Sequence, residues 1–208
     1  MAITFPRPLP SIEFDVESQL DLVLSVSQAR SGNRLTNIVE FADPVWMASM
    51  ETQPLYPEDC RAVSAWWDSL RGGLRTVLFR EPSYSSPIGQ IGNRGPELTP
   101  GTVSSITNGN EAAISGVDAG LVLDEGDYVS FTAVNGVRHL GRVSDAAGSG
   151  TSRTVAFEPP APIGLDLAGA VARFDRAELL MRPVSGSFNV SVTGGLKVIT
   201  FQLVESAS

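Results

Sequence analysis

The sequence predicts a mainly β protein, a sandwich or barrel carrying one main α-helix at about residues 57–71 and an inserted small β-module. Three observations predict it. Apolar residues occupy even positions from Ile12 to Val26, two glycine turns sit between alternating segments, and a single stretch has helical periodicity. The 208 residues are 42% hydrophobic and 18% charged, with 20 glycines and 14 prolines spread along the chain. That composition supports a core and many short strands joined by turns.

Ile12, Phe14, Val16, Leu20, Leu22, Leu24 and Val26 alternate with Glu13, Asp15, Glu17, Gln19 and Asp21, the pattern of a half-buried strand. The run is about twice a usual strand length, so either a bend near Ser18 or pairing with two partners is expected. Ser31 to Asn33 reads as a turn, and Asn37 to Phe41 resumes the β pattern. Pro57-Glu58-Asp59 has the composition of a helix start, with proline in the first turn and two acids over the positive end of the dipole. Cys60, Val63, Trp67, Leu70 and Leu74 then form one apolar stripe, and Gly72-Gly73 ends the helix. On this stripe Trp67 and the lone Cys60 are core residues, whereas Trp66 lies off it, over a neighbouring strand or subunit.

A strand is expected over residues 75–80, followed by a Pro-, Ser- and Gly-rich loop over 81–100. Loops of this length usually bind something or touch a neighbour. The expected organisation is a main β-domain from residues 1–100 and 161–208, carrying the helix, with residues 101–160 inserted. Within the insert, Asn135-Gly136 predicts a two-residue turn that sets Phe131 opposite Leu140 and His139 opposite Thr132. Thr154 to Phe157 and Val171 to Arg182 read as further strand regions. Gly194-Gly195 closes a last hairpin with Phe188, Val190, Val192, Ile199 and Phe201 on one face, expected to be the core side.

The net charge is −8 and no cluster of basic residues occurs, which argues against specific nucleic-acid binding. One cysteine excludes an intrachain disulfide and a multi-cysteine zinc site. Residues 1–10 lack an apolar run, and no segment approaches the roughly 20 apolar residues of a membrane span. The expectation is a cytosolically made protein with no membrane partner.

No catalytic, cofactor-binding or metal-binding residue is assigned. His139, the only histidine, reads as a strand surface residue with no nucleophile beside it. Gly89, Gly92 and Gly95 lack the flanking strand and helix of a dinucleotide loop. Asp118 and the Asp124-Glu125-Gly126-Asp127 cluster lack the spacing of a calcium loop and read as a turn, though spacing alone does not separate them from paired hydrolytic carboxylates. Trp46, Trp66 and Trp67 read as packing residues before sugar-stacking ones.

Several segments in order carry a resemblance: Trp46-Met47-Ala48, Ala65-Trp66-Trp67-Asp68-Ser69-Leu70-Arg71-Gly72-Gly73, Phe79-Arg80-Glu81-Pro82, Glu125-Gly126-Asp127-Tyr128, Pro159-Pro160 and the closing Phe201 to Glu205. The chain resembles distal tail, or tail-tip β-sandwich, proteins of long-tailed (siphophage-like) bacteriophages and gene transfer agents. The resemblance implies a structural, non-enzymatic virion protein without cofactors, located in the virion tail and assembled in the host cytoplasm. It implies a homo-hexameric ring joining the tail tube protein to the hub or baseplate protein. Competing expectations are a carbohydrate- or receptor-binding β-module of the tail tip, and an enzyme such as a peptidoglycan hydrolase.

Overall fold

The computed structural model describes residues 3–30, 36–90 and 97–206. In chain order the elements are β1 (Arg7–Pro8), β2 (Gln19–Arg30), β3 (Thr36–Glu51), α1 (Pro57–Ser69), β4 (Val77–Arg80), β5 (Gly101–Thr107), β6 (Glu111–Ser115), β7 (Tyr128–Thr132), β8 (Arg138–Ala147), β9 (Ser152–Glu158), β10 (Val171–Arg173), β11 (Glu178–Pro183), β12 (Asn189–Thr193) and β13 (Leu196–Glu205). The fold is mainly β with one main helix, as expected. The chain divides into two compact units: Met1–Leu9 with Thr76–Met181 and Ser206–Ser208, and Pro10–Arg75 with Arg182–Glu205.

The first unit holds a closed six-stranded barrel in the order β10-β5-β6-β9-β8-β7. Strands within residues 101–160 leave two open edges, β5 and β7. Strand β10 closes both, pairing Val171 and Ala172 with Thr102 and Gly101 on one side and with Thr132 and Phe131 on the other. The module therefore extends past the expected limit at residue 160, and its unit spans Thr76–Met181. Both ends of the chain join this unit and not the helix-bearing one. Phe131, Phe157, Ile114, Val129 and Val155 fill the interior. Gly141 makes room for Phe157, whose ring atoms would stand 2.6 Å from a Cβ at that position. Closing a sheet this way removes its edges.

The register of the β7–β8 hairpin differs by one residue from the expected one. Thr132 faces Arg138 and Phe131 faces His139. The loop is three residues long: Gly136 alone takes positive φ (86°), the Ala133 carbonyl accepts from Gly136 N, and Asn135 Oδ1 accepts from Val137 N. A one-residue change moves side chains to the other face. His139 is thereby carried inside the barrel.

The second unit pairs β2 with β3, β3 with β13 and β13 with β12, all antiparallel. The chain bends where expected, at Ser18, whose hydroxyl donates to the Glu51 carbonyl and accepts from Glu51 N, both at 3.1 Å. Gly194-Gly195 makes the predicted two-residue turn, with Thr193 paired to Leu196, but only the β13 part of the expected core face is buried: Ile199 and Phe201 are inside, whereas Val190 and Val192 on the edge strand β12 are exposed. The expected turn at Ser31–Asn33 lies outside the described residues.

Helix α1 buries Cys60, Val63, Trp66 and Leu70. Its buried stripe runs through Trp66, not Trp67, so the expected roles of the two tryptophans are exchanged. Steps of three, three and four describe one helical face as well as three, four and three. Trp67 is half-buried at the rim of the same face, stacked on Phe188 at 5.1 Å, while Trp66 lies 5.7 Å from the Phe201 ring. Leu74 leaves the stripe and is exposed, because the chain turns left-handed at Arg71 and Gly72 (φ 50° and 60°). Arg75 Nη1 donates to the Ser69 carbonyl at the helix end.

Candidate interaction surface

The β2–β3 hairpin begins as part of a core and ends as a bare ribbon. Near its base, Leu20 and Trp46 are buried. Beyond Val23 the register shifts twice, because β3 carries extra residues opposite Leu24 and between Ser25 and Val26. Such bulges bend a strand and raise its twist. Past them both strands are exposed, and the alternation of Leu24 and Val26 no longer reports burial. Leu24 is 56% exposed, Ile38 61% and Phe41 70%, with Val23, Val26 and Val39 also open to solvent. The pairs Val26–Glu40 and Gln28–Ile38 set Val26 and Ile38 on one face, while Ser27–Val39 sets Val39 on the other. The ribbon is thus apolar on both sides and covered on neither. An isolated two-stranded ribbon is at best marginally stable in water.

The residues weighed for chemistry are absorbed by the two units, His139 and the acidic cluster by the barrel unit and Trp46, Cys60, Trp66 and Trp67 by the helix-bearing one. His139 is buried between aromatic rings, with ring centroids 6.3 Å from Phe131 and 5.8 Å from Phe157. This corrects the expectation of a surface residue. Its Nε2 donates to the Pro159 carbonyl at 3.0 Å, and its Nδ1 is buried without a hydrogen-bond partner. Burial lowers its pKa below the ordinary imidazole value, against a smaller opposing effect of the Pro159 bond.

In the acidic cluster, Asp127 is fully buried and structural: Oδ1 accepts from Ile88 N and Oδ2 from Asp124 N, both at 2.8 Å. Asp118 accepts from the backbone and hydroxyl of Thr99, and those bonds hold its pKa low. Among the described residues no group of three His, Cys, Asp or Glu is placed to hold a metal ion. Trp46 is buried in the helix-bearing unit, where its N–H donates to Glu205. Cys60 is a buried free thiol. Gly89 packs against Val122, whereas Gly92 and Gly95 lie outside the described residues.

The stretch expected to be a free loop is fastened over its described part. Tyr84 Oη donates to the Phe174 carbonyl at 3.0 Å and lies 3.3 Å from that of Tyr128. Gln90 Nε2 donates to the Gly120 carbonyl at 2.8 Å. These long-range pins carry no signal in local sequence. Two further charged devices are structural. Glu178 joins Arg80 and Arg138; burial would raise its pKa, but the Arg80 bond and both positive charges outweigh burial and lower it. Arg153, nearly buried, donates to the carbonyls of Ala119, Leu121, Gly150 and Ser152. A hollow of about 370 Å³ beside it is lined by Ala119–Leu123 and Ala146–Gly150, with no aromatic ring for a sugar to stack on.

The groups with chemical potential therefore hold the barrel together, and the exposed apolar material is concentrated on β2 and β3. No described helix is long and apolar enough to cross a membrane. Compared with known proteins, the sequence matches no protein family and no curated protein.

Proposed function

We propose that this chain is a structural, non-enzymatic virion protein of a phage-like tail, a ring subunit at the distal end of the tail tube that links the tube to the hub or baseplate. The observation that carries this reading is the β2–β3 ribbon, apolar on both faces and uncovered, which suits a part that is completed by assembly. The ordered segments from Trp46 to Glu205 supply the family resemblance. A net charge of −8 suits a channel through which DNA slides without sticking.

The partners on this reading are further copies of the chain, the tail tube protein and the hub protein. Quantifying the protein in purified tails tests it. Six copies per tail, or a multiple of six, are expected. One or three copies, or absence from the particle, refute the ring.

A further inference from the structure

We infer that the outer edge of β2 pairs with the outer edge of β12 of a second copy of this chain, joining the copies head to tail. This deepens the ring reading but rests on the strands alone. In the helix-bearing unit β2 pairs only with β3, and β12 only with β13, among the described residues. From Leu22 to Ala29 on β2, and along β12, the outer strand edge therefore has no strand beside it among the described residues. Proteins that stay monomeric blunt such edges with lysine, proline, inward charges or short strands. From Leu22 to Ala29, β2 has no charged residue, proline or glycine, and it is twelve residues long. Strand β12 carries no charge either, and Val190 and Val192 are exposed on it.

A strand added at such an edge exchanges its bonds to water for a ladder of backbone hydrogen bonds and sets alternate side chains against the exposed apolar ones, so the occupant is a strand. Within this unit the second such edge is β12, uncharged and valine-bearing like β2. Val23, Leu24, Val26, Ile38, Val39 and Phe41 leave on the order of 500 Å² uncovered, divided between the two faces of the ribbon, so a sheet continued across the β2 edge can extend over either face. The contact joins two different surfaces, and such heterologous contacts close into rings when the rotation permits.

Cross-linking between differently tagged variants tests the pairing. Ser27→Cys and Ser191→Cys place a thiol on each exposed edge, and the native Cys60 is buried. Each variant is first shown to keep the wild-type melting temperature, then treated with a short bismaleimide alone and as a 1:1 mixture. A linked dimer containing both tags, formed only in the mixture, is the expected result. Linkage in Ser27→Cys alone shows β2 meeting β2 and overturns the inference, as does absence of linkage. In parallel, Val26→Lys should reduce an assembled species to the 22.0 kDa monomer with its melting temperature unchanged. An unchanged assembly in Val26→Lys also overturns the pairing. If these tests fail while six copies are still counted per tail, the pairing is wrong and the ring reading stands.

Discussion

Acidification should weaken the barrel through His139 alone among the histidines, since the chain has no other. The imidazole is buried, its Nε2 proton is held by the Pro159 carbonyl, and a proton added at Nδ1 would find no acceptor. Its folded pKa therefore lies below the ordinary imidazole value of about 6.5. As pH falls through 6.5 the unfolded chain takes up a proton that the folded barrel does not, so stability is lost. While the folded imidazole stays neutral, the loss is about 1.4 kcal/mol for each pH unit below 6.5. Glu81 and Glu205 act with the opposite sign. Burial raises their pKa values, so the folded state binds those protons first and gains stability as pH falls through them. Comparison with His139→Gln, which keeps an N–H donor, cancels their contribution. The assay is urea unfolding at pH values from about 8 to 5, followed by far-UV circular dichroism. All three tryptophans lie in the other unit, so their fluorescence is not the reporter for the barrel. The wild type should lose more stability than the variant as pH falls below 6.5, by at most about 1.4 kcal/mol for each pH unit. Parallel curves for the two proteins would refute a neutral, proton-excluding His139.

Trp66→Ala should cost about 3–5 kcal/mol, the range for a large buried side chain, whereas Trp67→Ala should cost less because Trp67 is half-buried. Chemical denaturation of both variants ranks them, and the reverse order would restore the stripe through Trp67. Tyr84→Phe should destabilise the barrel unit by about 1–2 kcal/mol by leaving carbonyl acceptors unserved. A thermal melt unchanged from wild type would show those carbonyls satisfied by solvent.

The elements readable from sequence were those whose signals are local. Pro57, the two acids and the stripe place α1, and Gly194-Gly195 fixes the last hairpin with its register. What failed depended on a single backbone choice or on distant partners. Asn135-Gly136 announces a turn, but the third loop residue decides which face His139 takes, and with it whether the histidine is solvated or sealed. Leu24 and Val26 keep the apolar alternation of a buried strand although nothing among the described residues covers them. Periodicity reports a surface that needs a cover and not what supplies it. The buried state of Asp127 and the anchoring of Tyr84 arise from contacts 39 to 90 residues away in sequence, beyond any local pattern.

The interleaving of the two units has a consequence for the order in which they can be built. During synthesis the barrel strands are all available once Arg173 has emerged, and the unit's long middle run is complete at Met181. Pro10–Arg75 of the helix-bearing unit precedes the barrel strands, but that unit is completed after them, because β12 and β13 come from Arg182–Glu205. Trp46, Val63 and Trp66 must therefore wait for Ile199 and Phe201, across more than a hundred residues, before their shared core can close. Until then the β2–β3 ribbon is attached to an unfinished base, and sticky segments exposed for that long are targets for aggregation and chaperones. Slowing translation within Thr76–Met181 should lower soluble yield more than slowing it before Gln19, where the ribbon has not yet emerged.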